Sequence, residues 1–462
     1  MIRILTLIKQ KLTQPLFLRL VFAMLMSSLF LEVKYPIINS FGYFLGEKKD
    51  FTIIFAYLSD IILLGWIFIA IYYNLPLSKR ENRYLGENSS FASLLLIILI
   101  VTSYYINYSK LIIPIISIYI LIYLTKLIVL HGTLSICLDD LFKIFKGVFL
   151  LFIGLECALA IYQFWNQASL GLQKVGESMI GPYIFSVAKV EAFGQVFIRS
   201  YGTFAHPNVF GAFLVIGLVI SLAAFINANL KSRLVLLLLV GIQTFGLTLT
   251  FSRSAWLVAM LAILIFVCLT WNIDLSVGEK LYPAVLLILL SFVVIGIIYL
   301  PFIAERGRVA GTTAYTERTN YNTAGLKMII DYAVFGVGPG QSLLHMEHYM
   351  PGRIEPWDIQ PIHNYYLLFT TELGLPAFFV FALYISYVLQ KSFRVYKAMT
   401  NLDVEFICLL SCLIAILILM MFDHYFYTLE SPAILFWVVL GLLVNKLYRL
   451  EKIGDIQNRI MN

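Results

Sequence analysis

Twelve apolar stretches divide this chain, near residues 15–33, 51–73, 91–107, 111–130, 144–165, 206–228, 234–252, 254–271, 281–300, 362–390, 405–427 and 432–447. As helices they are long enough to span about 30 Å of hydrocarbon, so the pattern predicts an all-α polytopic membrane protein of about twelve transmembrane helices. Composition agrees, because only 13% of the 462 residues are charged while 61% are hydrophobic and mean hydropathy is +0.89. A soluble chain of this length would carry roughly a quarter charged residues. The net charge of +7 does not require nucleic acid, since Lys and Arg can gather in loops facing anionic lipid. The five cysteines, Cys137, Cys157, Cys268, Cys408 and Cys412, lie mostly inside apolar runs without metal-ligand spacing. Neither a disulfide framework nor a metal site is expected from them. Basic residues precede the first apolar run, but no small-residue cleavage site follows, which reads as a start-transfer helix.

Charge orients the spans. With the N-terminus inside, the inner segments hold Arg3, Lys9, Lys11, Lys79, Arg80, Arg83, Lys143, Lys146, Lys231, Arg233, Lys280, Lys391, Arg394, Lys397, Lys446, Arg449, Lys452 and Arg459. The short outer connections hold only Lys34, Lys48, Lys49, Lys110 and Arg253, eighteen against five, which puts both termini in the cytoplasm. Two long outer loops, near 166–205 and 301–361, break the rule with Lys174, Lys189, Arg199, Arg306, Arg308, Arg318 and Arg353. Positive charge where it is normally depleted points to an anionic ligand. No internal repeat or low-complexity linker occurs, so residues 1–462 read as one integral membrane domain.

Polar residues concentrate at the outer rim. The stretch from Gly336 to Phe378 holds three of the six histidines and turns from a Gly, Pro and His loop into an apolar helix at His363-Asn364. An ionisable group at such a rim is a functional-site hypothesis by default, set against a plain histidine cap on a helix. Arg199-Ser-Tyr-Gly202-Thr-Phe-Ala-His206-Pro207-Asn208 ends the first long loop, with Pro207 suited to a first helical turn. A turn at a helix start with a solvated histidine is the plainer reading there. Thr250-Phe-Ser252-Arg253-Ser254-Ala-Trp256 sets an arginine among hydroxyls, either snorkelling to the interface or able to grip a phosphate with both arms of its guanidinium.

In the large loop, Tyr321, Ala324, Met328, Ile329 and Tyr332 keep helical spacing, which predicts an amphipathic interfacial helix with Arg318 in its first turn. Unpaired N–H groups there would favour an anion. Gly336-Val-Gly338-Pro-Gly340 has no strand–helix–strand context for a nucleotide and reads as flexible loop. Glu372, nine residues after His363, faces the other side of the helix and suits a partner on a neighbouring helix. Asp423-His424 forms a second polar cluster near the end of the eleventh stretch, and a satisfied helix-end pair is its plainer reading. Asp139-Asp140 falls on the cytoplasmic side and reads as solvated loop.

Taken in order, RSYGTFAHPNVFGAF, TFSRSAWL, ERTNYNTAGLKMIIDYAVFGVGPG, HNYYLLFTTELGLPAF and FDHYFYTLESPAILFWVVLGL resemble the O-antigen ligase and O-antigen polymerase superfamily of bacterial membrane glycosyltransferases. The likeness covers about residues 199–440, while the first half is similar only in hydropathy. One departure is that the family often repeats Gly three residues after the first, where Gly374-Leu-Pro376-Ala377 has Ala. The resemblance implies transfer of a glycan from an undecaprenyl-pyrophosphate donor to an acceptor hydroxyl on the outer face of the cytoplasmic membrane, without metal or other cofactor. It implies His363 as catalytic and Arg253 and Arg318 as pyrophosphate ligands. Arg199, His206, Asn208, Asn364, Asp423 and His424 are further substrate-binding candidates.

The chemistry fits, because a metal-free transferase must meet the developing leaving-group charge with fixed cations, and the acceptor needs a base titrating near ambient pH. Direct displacement would invert the anomeric carbon. Lipid, glycan and protein acceptors remain open, and with them the ligase, polymerase and protein O-glycosyltransferase readings. A polysaccharide flippase is the alternative from another class, for which Glu156, Gln163 and Glu372 would line a path.

Overall fold

The computed structural model describes residues 16–38, 43–44, 47–48, 53–78, 85–110, 113–135, 137, 141–185, 187–192, 194–298, 310–351 and 359–461. Asp139-Asp140, Arg306, Arg308, Arg353 and the basic residues before Leu16 and at 79–83 lie outside them. Among the described residues, eight helices are long and apolar enough to cross a membrane. Four shorter apolar helices, Leu16–Ser28, Leu58–Tyr72, Ala92–Asn107 and Val404–Leu419, fall on the other four apolar stretches. The chain is an all-helical integral membrane protein with a few short strands, and it divides into two compact units, each drawn from three segments.

The first unit comprises Met1–Val33, Asp139–Thr313 and Ala398–Leu419. It contains α1 (Leu16–Ser28), α5 (Phe142–Asn166), α6 (Pro207–Ile226), α7 (Leu230–Leu249), α8 (Arg253–Trp271), α9 (Leu275–Ile298) and α13 (Val404–Leu419). Helix α6 is apolar on every face and is its centre, packed by α5, α7, α8, α9 and α13. A helix hydrophobic all round belongs inside a bundle. As expected, Pro207 opens it, and His206 caps it by accepting the Asn208 N–H at Nδ1 (3.1 Å). Between α5 and α6 lies a hairpin of β5 (Lys189–Ala192) and β6 (Gln195–Ile198) that hydropathy did not signal. Under it, Ile180, Val187, Ile198 and Tyr201 form a small core, so much of this loop is folded.

The second unit comprises Lys34–Leu138, Ala314–Lys397 and Met420–Asn462. Strand β1 (Lys34–Ile38) pairs with β4 (Ile54–Tyr57), and β2 (Tyr43–Phe44) with β3 (Glu47–Lys48). The apolar stretch expected to span from residue 51 therefore begins as a strand, and helix α2 (Leu58–Ser78) starts only after it. Helices α3 (Leu85–Asn107), α4 (Pro114–Ser135), α12 (Tyr365–Lys397) and α15 (Glu430–Met461) complete the bundle, with α10 (Ala310–Asp331), α11 (Ser342–Tyr349) and the single turn α14 (Tyr425–Thr428) around one end. Lys126 of α4 joins Asp60 of α2 and Glu430 of α15 (2.7 Å to the latter) in a largely buried ion cluster. The eleventh stretch stops at Leu419 rather than 427, because the chain there leaves the helix and the Met420 carbonyl accepts the Tyr365 N–H (2.9 Å).

Helix α12 is broken at Gly374 (φ 84°, ψ 169°), two residues before Pro376. The break frees the carbonyls of Thr371 and Glu372, which accept instead from Val337 N (2.9 Å) and Gly338 N (3.1 Å), while Leu375 N donates to Ala333 O (2.8 Å). Ser103 and Asn107 of α3 in turn donate to the carbonyls of Phe335 (2.5 Å) and Gly336 (3.1 Å). The glycine-rich segment is thus docked into the break, a correction to the flexible loop expected from its composition. Gly336 (φ 65°) is pressed so closely on the Glu372 backbone that a Cβ there would strike it.

Candidate active site

His363 lies in the second unit, just before α12. The cap of that helix is its neighbour, since Asn364 Oδ1 accepts the Leu367 N–H (3.0 Å) and its Nδ2 donates to the Met421 carbonyl (3.0 Å). Asn364, expected among the substrate contacts, has both ends of its side chain engaged in fixing the backbone. The capping role suggested for His363 is already filled. Its Nδ1 is buried with no hydrogen-bond partner. An imidazole nitrogen left in that state calls for a functional account.

Four groups surround it: His424, Tyr321, Asp423 and Arg318. The His424 ring stands edge-on at 5.3 Å between centroids, and the Tyr321 ring lies at 6.0 Å. Asp423 Oδ1 accepts the His424 N–H (2.9 Å) and sits 3.6 Å from His424 Nε2, while His424 Nδ1 is within 2.8 Å of Thr428 Oγ1. The charge of Arg318 reaches both imidazoles. Burial, with the Arg318 guanidinium, pushes the His363 pKa below the ordinary 6.5, while Asp423 and the Pro361 backbone work the other way. Burial takes His424 down to about 4, again against Asp423. Both shifts favour the neutral imidazole, the form a base requires.

The position of Arg318 corrects the sequence reading. Helix α10 begins at Ala310, so Arg318 lies in its third turn and not its first, and the helix-terminus argument does not apply to it. The expected stripe does form, with Tyr321, Ala324 and Met328 buried and Lys327 exposed. Arg318 and Tyr321, one turn apart, thereby share the face that meets His363.

His363, Asp423 and His424 each offer a potential ligand atom within 4.8 Å of the others. A zinc ion with bonds of about 2.0–2.1 Å would hold ligand atoms about 3.4 Å apart. The Asp423–His424 pair stands at 3.6 Å, His424 Nδ1 is already engaged by Thr428, and a guanidinium is in range. The partners of Glu372 are Gly340, Ser342 and Tyr427, which lie on the loop and short helices rather than on the neighbouring spanning helix expected for it.

The remaining candidates belong to the first unit. Arg199 is 4% exposed, its Nε donating to the Thr250 carbonyl (2.6 Å) and its Nη2 to Asn208 Oδ1 (2.8 Å). These bonds join the hairpin to the start of α6 and the end of α7, so Arg199, Asn208 and the His206 cap act as framework. Glu156 accepts from Thr203 N (2.8 Å) and Oγ1 (2.9 Å), and Gln163 bonds the backbone of Tyr201 and Gly202. Both fasten the loop between α5 and α6. Arg253 is exposed at the first position of α8, beside Ser252 and Ser254 and after Phe251 at φ 48°. The helix N-terminus expected for Arg318 belongs to Arg253 instead.

Sequence reasoning had no means of pairing Asp423-His424 with His363 across sixty residues, and Tyr321 was read only as part of an apolar stripe. The Arg318–Tyr321 spacing on one helical face was the available signal for the latter. A family model described as O-antigen ligase matches residues 238–382, from within α7 through Arg253, Arg318 and His363 into α12. Comparison with curated proteins gave no match.

Proposed function

We propose that this chain, whose segment 238–382 matches a family model described as O-antigen ligase, is a membrane glycosyltransferase. It transfers a glycan from a lipid-pyrophosphate donor, undecaprenyl-linked, to an acceptor hydroxyl on the outer face of the cytoplasmic membrane. The observation that carries this reading is the half-buried His363 with a buried, unpartnered Nδ1, set beside the Arg318 cation and the Asp423 carboxylate.

His363 takes the proton of the acceptor hydroxyl as its oxygen attacks the anomeric carbon and the pyrophosphate departs, with inversion. Asp423 favours the imidazolium that results, and Arg318 offers the leaving group a planar pair of donors. Arg253 has, on its own unit, an exposed guanidinium, two serine hydroxyls and a helix N-terminus, the chemistry that holds phosphate oxygens. No step requires a metal.

Purified protein is given a lipid-pyrophosphate glycan with a lipid A core, with a second copy of the glycan, or with an acceptor protein. Transfer to one of the three supports the reading and names the subclass by product size. Glycan movement across vesicles without a covalent product would support the flippase instead. Arg253→Lys and Arg318→Lys keep the charge but lose the planar fork, and each is expected to weaken donor binding as well as turnover.

A further inference from the structure

Glu372 is a buried acid that the transfer chemistry leaves unused. It is 4% exposed, within a membrane-spanning helix, where such groups are costly and functional by default. Its carboxylate accepts from Ser342 Oγ at Oε1 (2.7 Å), and from Gly340 N (2.7 Å) and the Tyr427 hydroxyl (2.8 Å) at Oε2. Gly340 ends the glycine-rich segment docked into the α12 break, and Ser342 opens α11 just after it. The third belongs to α14, the single turn that follows Asp423 and His424.

That turn has a second attachment. Met420 O accepts from Tyr365 N (2.9 Å), and Met421 O from Asn364 Nδ2 (3.0 Å). Residues 420–427 are therefore held to α12 at both ends, beside Asn364 at one and at Glu372 at the other. Asp423 and His424 lie on the span between, opposite His363. With the Glu372 bond removed, that end keeps only the ring contacts of Tyr427 with Tyr365 and Phe369 and the Tyr123 hydroxyl on the Leu429 carbonyl, none of which fixes the Tyr427 hydroxyl in place. Within α14 the Tyr427 N–H donates to the His424 carbonyl (2.8 Å), so a shift of Tyr427 moves His424 with it.

We propose that Glu372 is a positioning residue, which through the Tyr427 hydroxyl holds the Asp423-His424 turn in register with His363. The proposal rests on the reading of His363 as the base. It assigns Glu372 a geometric role and no proton transfer. A glutamine can fill that role, because its carbonyl can accept from Gly340 N and Tyr427 while its amide donates to Ser342 Oγ.

The test compares Glu372→Gln, Glu372→Ala and Tyr427→Phe by turnover and by the imidazole carbon signals of His363 and His424 in 13C-histidine-labelled protein, assigned with His363→Gln and His424→Gln. Glu372→Ala is expected to lower kcat by about 10–100-fold, the cost of misplacing a catalytic constellation by an ångström or less, with donor KM little changed. Tyr427→Phe removes one hydroxyl only and should fold as wild type, moving both imidazole signals and lowering kcat in the same direction. Glu372→Gln should keep the signals in place and most of the turnover. Unmoved signals in Tyr427→Phe and Glu372→Ala would overturn the proposal, as would a Glu372→Gln variant as impaired as Glu372→Ala, which would assign the role to charge. The signals report on the turn even if a His363→Ala variant stays active, so failure of the base reading and failure of this one are separable.

Discussion

Replacing Gly374 with Ala tests the break in α12 on which the site is built. At φ 84° and ψ 169° the residue occupies a region essentially reserved for glycine, where a side chain costs about 1–3 kcal/mol. The added Cβ would also meet the Val334 carbonyl, so the segment docked there must withdraw. Withdrawal loosens three bonds, Val337 N to Thr371 O, Gly338 N to Glu372 O and Leu375 N to Ala333 O. At about 0.5–1.5 kcal/mol net for each, the loss with backbone strain comes to about 2.5–7.5 kcal/mol. The assay is thermal unfolding of purified protein in detergent, followed by tryptophan fluorescence, beside limited proteolysis of the 333–342 segment. Gly147→Ala in α5 is the control, because its Cβ meets nothing and ordinary helical backbone gains about 0.5–1 kcal/mol from the change. A Gly374→Ala protein that unfolds at the wild-type temperature with an equally protected segment would refute the reasoning.

Acid should destabilise the fold through the histidine pair. Unfolded imidazoles take up protons near 6.5 while folded His424 stays neutral to about 4, so stability is lost as pH falls through that window, by on the order of 1–3 kcal/mol. Unfolding temperatures should drop from pH 7 to pH 4, with a shallower slope in His424→Gln; a rise on acidification would contradict the burial argument. For orientation, a cysteine replacing exposed Lys174 should react with an impermeant thiol reagent in intact cells, and one replacing exposed Thr400 should not. The reverse pattern would invert the topology. Transfer should continue in excess EDTA, and loss restored by a divalent ion would make His363, Asp423 and His424 ligands rather than a proton-transfer group.

Hydropathy located the long spans because burial in lipid demands uninterrupted apolar runs, and Pro207 and the Tyr321 stripe were legible because helices start and pack by local rules. The β1–β4 and β5–β6 pairs were not, since short apolar strands at 54–57 and 195–198 carry no period that separates them from helix or loop. Within the site, His363 and Arg318 could be nominated from residue type and motif. Their environment could not. Whether an arginine is framework, like Arg199 with its partners Thr250 and Asn208, or exposed, like Arg253, depends on contacts between distant segments. The glycine-rich segment shows the same limit, since composition gives its backbone freedom but not the carbonyls of a broken helix that it satisfies.

The most direct measurement is the transfer rate of His363→Ala with saturating donor and acceptor, in protein shown to insert and unfold as wild type does. A general base contributes about 10²–10⁴-fold, so kcat should fall by that factor while donor binding is nearly kept. His363 is half-buried, so removal of its imidazole leaves only a small, wettable gap, and the fold should survive it. Transfer at the wild-type rate would make His363 a structural residue and contradict the mechanism.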